Sequence, residues 1–349
     1  MIRILLLFGF SVIASFSYSQ LNNQGAITTE DLDFYLLQSF LAGDTKSRIA
    51  LNHIGIQVRY QNSEYLITAV LEGYPAHAAG IERGDIIQTV DSEPFHPIHS
   101  FNVEQDSYGA YLPTTRAHEL RVQRGNSTSA ITLRPVFENL FDSYRSATAN
   151  SVLEFSAGNK IIGYIRFWAL SRSTSDMINY QELLSSLDHC DGIIFDLRNS
   201  FGFLDSQHLD LVFNDKENYF TVSEPADLNF NFAEISPNLE FNNYRKPIAV
   251  LLNEDTQGGP ELFAYQLDKL ERVVSLGSAT PGRIGSFFVE RSADATSINY
   301  RAAQEILIDG KRFEDVGNRP EIEVPFPYES TTRGDPQYDA AVNALLGII

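Results

Sequence analysis

Apolar positions change their spacing several times along the chain. Residues 1–20, MIRILLLFGFSVIASFSYSQ, place an apolar run from Ile4 to Ile13 behind a single Arg3, then turn small and polar. That is the layout of an export signal, with cleavage near Ser19–Gln20. Its core is too short for a good membrane span. The stretch TTEDLDFYLLQSFLAG then predicts one helix, with Thr28 or Thr29 as N-cap, acids in the first turn and Gly43 as the stop. From residue 51 to 136 the period becomes two. IGIQVRY and YLITAVL read as strands, PAHAAG as a short helix ending at Gly80, and GDIIQTVD as a further strand. ELRVQRGNSTSAITLRPV reads as a hairpin turning at GNST. Residues 96–117 give a weak pattern, read as a short helix within a loop.

From residue 137 onwards strands and helices alternate. IIGYIRFW, DGIIFDLR, KPIAVLLNE and VVSLG are apolar strands; SDMINYQELLSSLDH, HLDLVFN, PELFAYQLDKLE and the tail DPQYDAAVNALLG carry helical spacing. Such alternation predicts an α/β layered core. The expected organisation is an export signal at 1–19, a helical lead-in at 20–50, a β-rich unit at 51–136 and an α/β core at 137–349.

Composition narrows the function. The chain has 349 residues, 43% hydrophobic and 20% charged, which is globular. A formal net charge of −19 disfavours nucleic acid and anionic lipid as partners. No later segment is apolar enough to span a membrane, and no cysteine follows the cleavage region to take a lipid. Cys190, the only cysteine, allows no internal disulfide and reads as a buried structural thiol. The histidines, His53, His77, His96, His99, His118, His189 and His208, show no H-E-x-x-H spacing, so each is read as a surface or loop residue and no metal is expected. Neither a phosphate loop nor a dinucleotide-binding glycine pattern occurs, and no cofactor is expected.

Two sets of residues resemble a known family. HIGIQV followed by PAHAAGIERGDIIQTVDSEPF is similar to a PDZ domain. KIIGYIRFW, DGIIFDLRNSFG, KPIAVLLNEDTQGGPE, SLGSATPGRIG and DGKRFEDVGNRPEIEVP, in that order, resemble the C-terminal-processing (tail-specific) serine peptidases. The resemblance runs over about residues 50–349 and implies a layered core of the ClpP/crotonase type. It also implies that the PDZ-like unit holds a peptide or protein C-terminal tail. Backbone N–H groups in the loop His53, Ile54, Gly55 and Ile56 would face the terminal carboxylate, the tail would add a strand to the sheet edge, and Ile56 and Val58 would line an apolar pocket.

The family's T-x-S-x-x-E pattern falls on TQGGPE, Thr256 to Glu261, and puts its nucleophilic serine on Gly258. The G-x-x-T-x-G-K-G pattern falls on GSATPGRIG and puts its basic lysine on Arg283. The interval between them keeps the family's spacing, so both departures are substitutions within register. Gly258 has no hydroxyl, and a guanidinium stays protonated and cannot take a proton. Gly202 and Gly259 keep the turn and oxyanion positions, whereas Phe203 replaces the last glycine of D-L-R-x-N-x-G-G. Asp196 and Arg198 read as closing a strand end. The expected function is an exported, catalytically inactive tail-binding homologue. Two alternatives stand beside it: an active peptidase with a relocated nucleophile, for which Thr256, Ser275, Ser278 and Ser286 are candidates, and a scaffold subunit of an exported complex.

Overall fold

The computed structural model describes residues 26–171, 173–204, 206–213, 222–223, 243–283, 289–300, 307–308, 311–328 and 334–349. The expected export signal at 1–19 lies outside them. The central sheet runs in the order Leu153–Ala157, Lys160–Arg166, Gly192–Asp196, Ile248–Leu252, Val273–Gly277 and Ile322–Glu323. The first pair is antiparallel and every later neighbour is parallel. GIIFD, IAVLL and VVSLG are buried along their whole length, as strands covered on both faces must be.

Alternate side chains feed two separate layers. Ile193, Phe195, Ile248, Val250 and Leu252 pack with helices Thr174–Ser186 and Gly259–Leu267 through Met177, Tyr180, Leu184, Leu262, Phe263 and Leu267. Ile162, Ile194, Ala249 and Leu251 face the other way, onto Ala341 and Leu345 of the closing helix Pro336–Leu346. The expected layered α/β core is therefore present, with helices on both faces of the sheet. HLDLVFN contributes less than expected, with a helix only over Ser206–Asp210.

The smaller unit is an antiparallel sheet in the order Ile56–Gln61, Glu64–Val70, Ile86–Val90, His118–Arg124 and Ser127–Leu133. Ile54, Ile67, Ile87, Leu120 and Val122 fill its core. The hairpin is tighter than the sequence suggested: Gly125, at φ 57°, lets the chain reverse at Gly125–Asn126, and Arg124 pairs directly with Ser127. Residues 96–117 hold no helix. Pro97 and Pro113 lack the N–H that a helix needs, and the Asn102 amide, bonded to Asn52 O and Ile98 O, fixes the segment as turns instead.

The lead-in is a clasp rather than a spacer. Its helix, Leu32–Leu41, follows Asp31, not Thr28 or Thr29; the Asp31 carboxylate accepts from the Thr28 N–H and hydroxyl and so shapes the turn before the helix. Ile27–Thr28 pairs with Ser297–Ile298 of the core region. Phe34, Leu36 and Leu37 join Leu71 and Ile98 of the small unit and Trp168, Phe201 and Phe203 of the core in one cluster. The lead-in thus buries apolar area against both units at once.

Candidate active site

The strand Ile248–Leu252 leads through Asn253–Gln257 into Gly258, where the backbone turns at φ 74°, ψ −127° before helix Gly259–Leu267 begins. This is the sharp strand-to-helix reversal that elsewhere lifts a nucleophile above a sheet. A residue with a Cβ is strained there by about 1–3 kcal/mol; glycine is not. The two turn glycines meet. A Cβ on Gly259 would lie 2.4 Å from Leu204 N and 2.9 Å from Gly202 O. One on Gly202, at φ 129°, would lie 2.0 Å from Leu170 O. Both positions exclude any side chain because two backbones touch. Phe203 donates its N–H to Leu170 O at 2.9 Å and turns its ring onto Phe201, so that N–H does not face the turn.

Glu261 organises what surrounds Gly258. Its Oε1 accepts from Gly258 N at 3.0 Å and Arg283 N at 2.7 Å; its Oε2 accepts from Gly282 N at 2.6 Å and Thr280 Oγ1 at 2.5 Å. The backbones of Gly258 and Arg283 therefore share one carboxylate oxygen, so the two positions that the resemblance singled out come together. Glu261 is fully buried, and burial pushes its carboxyl up to about 7 against those donors. Thr280 and Asn318 lock the second loop in place, Thr280 N bonding Asn318 O and Asn318 N bonding Thr280 Oγ1.

Two of the four candidate replacement nucleophiles are buried and hydrogen-bonded. Thr256 is buried; its hydroxyl donates to Leu197 O at 2.8 Å and accepts from Asn253 N at 3.1 Å. Ser275 Oγ, also buried, accepts from Glu321 N at 2.9 Å. Ser278 follows the strand and donates its N–H to Leu252 O. Ser286 lies outside the described residues. Asp196 and Arg198 form a buried pair, Nη2–Oδ2 2.6 Å, joined by Tyr164 Oη at 2.8 Å and by Asp335. The adjacent guanidinium groups hold the Asp196 carboxyl down to about 2 despite full burial. Cys190 is buried.

The expected tail loop lies at the edge strand Ile56–Gln61. A cavity of about 100 Å³ separates Ile54, Gly55, Ile56, Gln57 and Val58 from the lead-in at Glu30–Asp33. Ile54 is buried within the small unit and Val58 packs against its core. Gly55, at φ 76°, passes so close to Tyr74 that a Cβ would lie 2.2 Å from the Tyr74 Cβ. Its N–H already donates to His53 Nδ1 at 3.1 Å. His53 itself is buried, with Nε2 bonded to Ser143 Oγ at 3.0 Å, and burial pushes it down to about 4. It shapes the loop from behind. His118 and His208 are buried as well. These three correct the reading of every histidine as a surface or loop residue; β-strand and helix positions, not loop composition, decide their burial.

Sequence reasoning missed the polar connection between groove and turn. Arg59 reaches Asp255 Oδ1 at 2.6 Å, and Gln57 Nε2 donates to Asn199 O at 3.0 Å and Tyr144 Oη at 2.8 Å. Asn199 and Asn253 exchange bonds, N to Oδ1 at 2.9 Å and Nδ2 to Oδ1 at 2.8 Å. Tyr328 Oη closes the group on Asp255 Oδ2 at 2.8 Å. The outward residues of the edge strand, at period two, were the available signal: a Gln and an Arg alternate with Ile56 and Val58.

A mostly parallel sheet covered on both faces, with a glycine turn entering a helix above it, places the core in the layered α/β class. Residues 161–324 match the model of peptidase family S41. The carboxy-terminal processing protease CtpA of Bacillus subtilis is 24% identical over 282 residues, covering 78% of this chain and 56% of that protein. A CtpA-like serine protease of Staphylococcus aureus is 22% identical over 280 residues, covering 79% of this chain and 53% of that one. The chain thus spans little more than half the length of these curated relatives. An S41 protease structure from Bacteroides fragilis superposes with a TM-score of 0.52 at 17% identity, over 86% of this chain and 84% of that one, which speaks to the fold. The α/β core is thus similar to peptidase family S41, and most of the chain to C-terminal-processing serine proteases.

Proposed function

We propose that this protein is an exported, non-catalytic member of that family, and that it holds peptide or protein C-terminal tails without cutting them. One observation carries the reading. At the strand-to-helix turn where the family resemblance puts serine, Gly258 has no side chain, and Arg283, bonded through its N–H to the same Glu261 oxygen as Gly258, stands where a lysine would be. Acyl transfer needs a nucleophile and a group that takes its proton. Neither residue supplies one, and Thr256 beside them has its hydroxyl bonded to backbone on both sides.

The tail-binding half rests on the small unit, which we read as PDZ-like. Among the described residues its edge strand Ile56–Gln61 pairs on one side only, with Glu64–Val70, so its second edge can accept an added strand. The present opening is smaller than the roughly 300 Å³ of an ordinary ligand site. A bound tail therefore requires the start of the lead-in, Glu30–Asp33, to move outward. Export rests on the leader at 1–19. Among the described residues no helix is long and apolar enough to cross a membrane.

Fluorescence anisotropy with labelled peptides tests the binding half. Peptides with an apolar last residue and a free carboxylate should bind, the same peptides as C-terminal amides should not, and Ile56→Lys should abolish binding. Equal binding of acid and amide forms would refute tail recognition.

A further inference from the structure

Three side chains from two separate segments converge beside the groove. His96 and His99 belong to the turn HPIH of the small unit, and Glu30 to the lead-in. His99 Nε2 lies 2.5 Å from Glu30 Oε2, and His96 Nε2 lies 3.7 Å from the same oxygen. The two rings stack with centroids 4.4 Å apart at 28°. One ligand atom from each residue falls within 4.8 Å of the other two. We propose that Glu30, His96 and His99 form a divalent transition-metal site that pins the lead-in to the mouth of the groove.

The surroundings hold each ligand where it is. His96 N donates to Ser100 Oγ at 2.9 Å, and Ser100 N returns to His96 O at 3.2 Å. Asn102, two residues further on, is buried and bonded to Asn52 on the neighbouring strand. Glu30 N donates to Thr28 Oγ1, within a turn that Asp31 closes and that the Ile27–Ile298 pairing anchors. Two imidazoles and one carboxylate suit Zn²⁺, Ni²⁺ or Co²⁺ and disfavour Mg²⁺ and Ca²⁺, which take oxygen. Donors bound at about 2.0–2.2 Å to one ion lie about 3.3–3.6 Å apart, so an ion would part His99 from Glu30 and draw His96 slightly inward. Glu30 and His99 are exposed, at 59% and 54% of their side chains, so the ion keeps open positions for water.

Ligation through His96 Nε2 needs the proton on Nδ1. In this turn that nitrogen accepts long contacts from Ile98 N at 3.2 Å and His99 N at 3.3 Å. Metal loading releases both, so those two amides report direct binding. Sequence spacing does not reveal the site, because Glu30 stands far from the histidines along the chain and only the clasp brings it in.

Tag-free protein titrated with Zn²⁺ or Ni²⁺ in a calorimeter should show one saturable equivalent that also raises the melting temperature, while Mg²⁺ and Ca²⁺ do neither. NMR should show the Ile98 and His99 amides shifting on loading. The double variant His96→Ala/His99→Ala should lose the equivalent, and Glu30→Gln should weaken it and remove the melting shift. Both Glu30 and His99 are exposed, so Glu30→Gln and His99→Asn alone test the site should the double variant fold poorly. His189→Ala, in the other grouping of Glu154, His189 and Cys190, should leave the equivalent intact. No saturable binding, or an equivalent that survives the Glu30 and His99 changes, overturns the proposal.

Discussion

The turn at Gly258 and the edge strand Ile56–Gln61 are the two ends of one polar chain, and they are built in different ways. The turn is held by backbone contact. Gly202 and Gly259 have no room for a Cβ, and one buried carboxylate collects the surrounding donors. The edge strand is held by side chains, with Ile56 and Val58 against the small core and Gln57 and Arg59 reaching across to Asn199 and Asp255. The difference separates frame from chemistry. Residues that hold the turn cannot change without loss of stability. At Gly258 the constraint is the backbone turn alone, where glycine relieves the strain that a side chain would bring.

The sharpest way to break this comparison is to attack the frame. Glu261→Ala leaves three backbone N–H groups and the Thr280 hydroxyl without their buried acceptor. At about 1–3 kcal/mol for each unsatisfied group, with partial relaxation, the loss should be about 3–5 kcal/mol in urea unfolding. Gly258→Ser should cost about 1–3 kcal/mol by the same method, through the φ of 74° alone. If it costs nothing, the turn is not strained and the elbow geometry is wrong.

The two regions should also titrate in opposite senses. Glu261 holds its proton to about 7 when folded, against an ordinary value near 4.5. Between those values the native state binds more protons than the unfolded chain, so this group's contribution to stability falls as pH rises through the window. His53 is the reverse. Its folded value of about 4 lies below 6.5, the unfolded chain binds more protons between them, and stability is lost as pH falls from 6.5 towards 4. Glu261→Gln should flatten the first slope and His53→Gln the second, each leaving the other in place; unfolding free energy against pH reads both. The smallest effect should come from Arg59→Ala, which breaks a partly exposed ion pair and its link to the turn for about 1 kcal/mol.

The core was legible because its strands are buried on both faces, so IAVLL and GIIFD read as continuous apolar runs. TQGGPE was legible because a glycine turn between such a run and a helical pattern has few other uses. The rest depends on contacts between distant segments. Asp255 says nothing in sequence about Arg59, nor Glu30 about His96. The clasp formed by Phe34, Leu36 and Leu37 looks like any amphipathic helix until Trp168 and Phe201 cover it. Residues 96–117 misled because histidine and asparagine side chains and a short antiparallel bridge between Gln105 and Tyr111, not a helical ladder, set their path.

The most direct test of the central claim is cleavage of an unfolded protein substrate by the wild-type chain, beside Gly258→Ser and the double variant Gly258→Ser/Arg283→Lys. The account predicts no cleavage by the wild type and cleavage by the double variant, a competent frame that lacks only its two chemical groups. Cleavage by the wild type, abolished by changing a hydroxyl residue elsewhere, would contradict it.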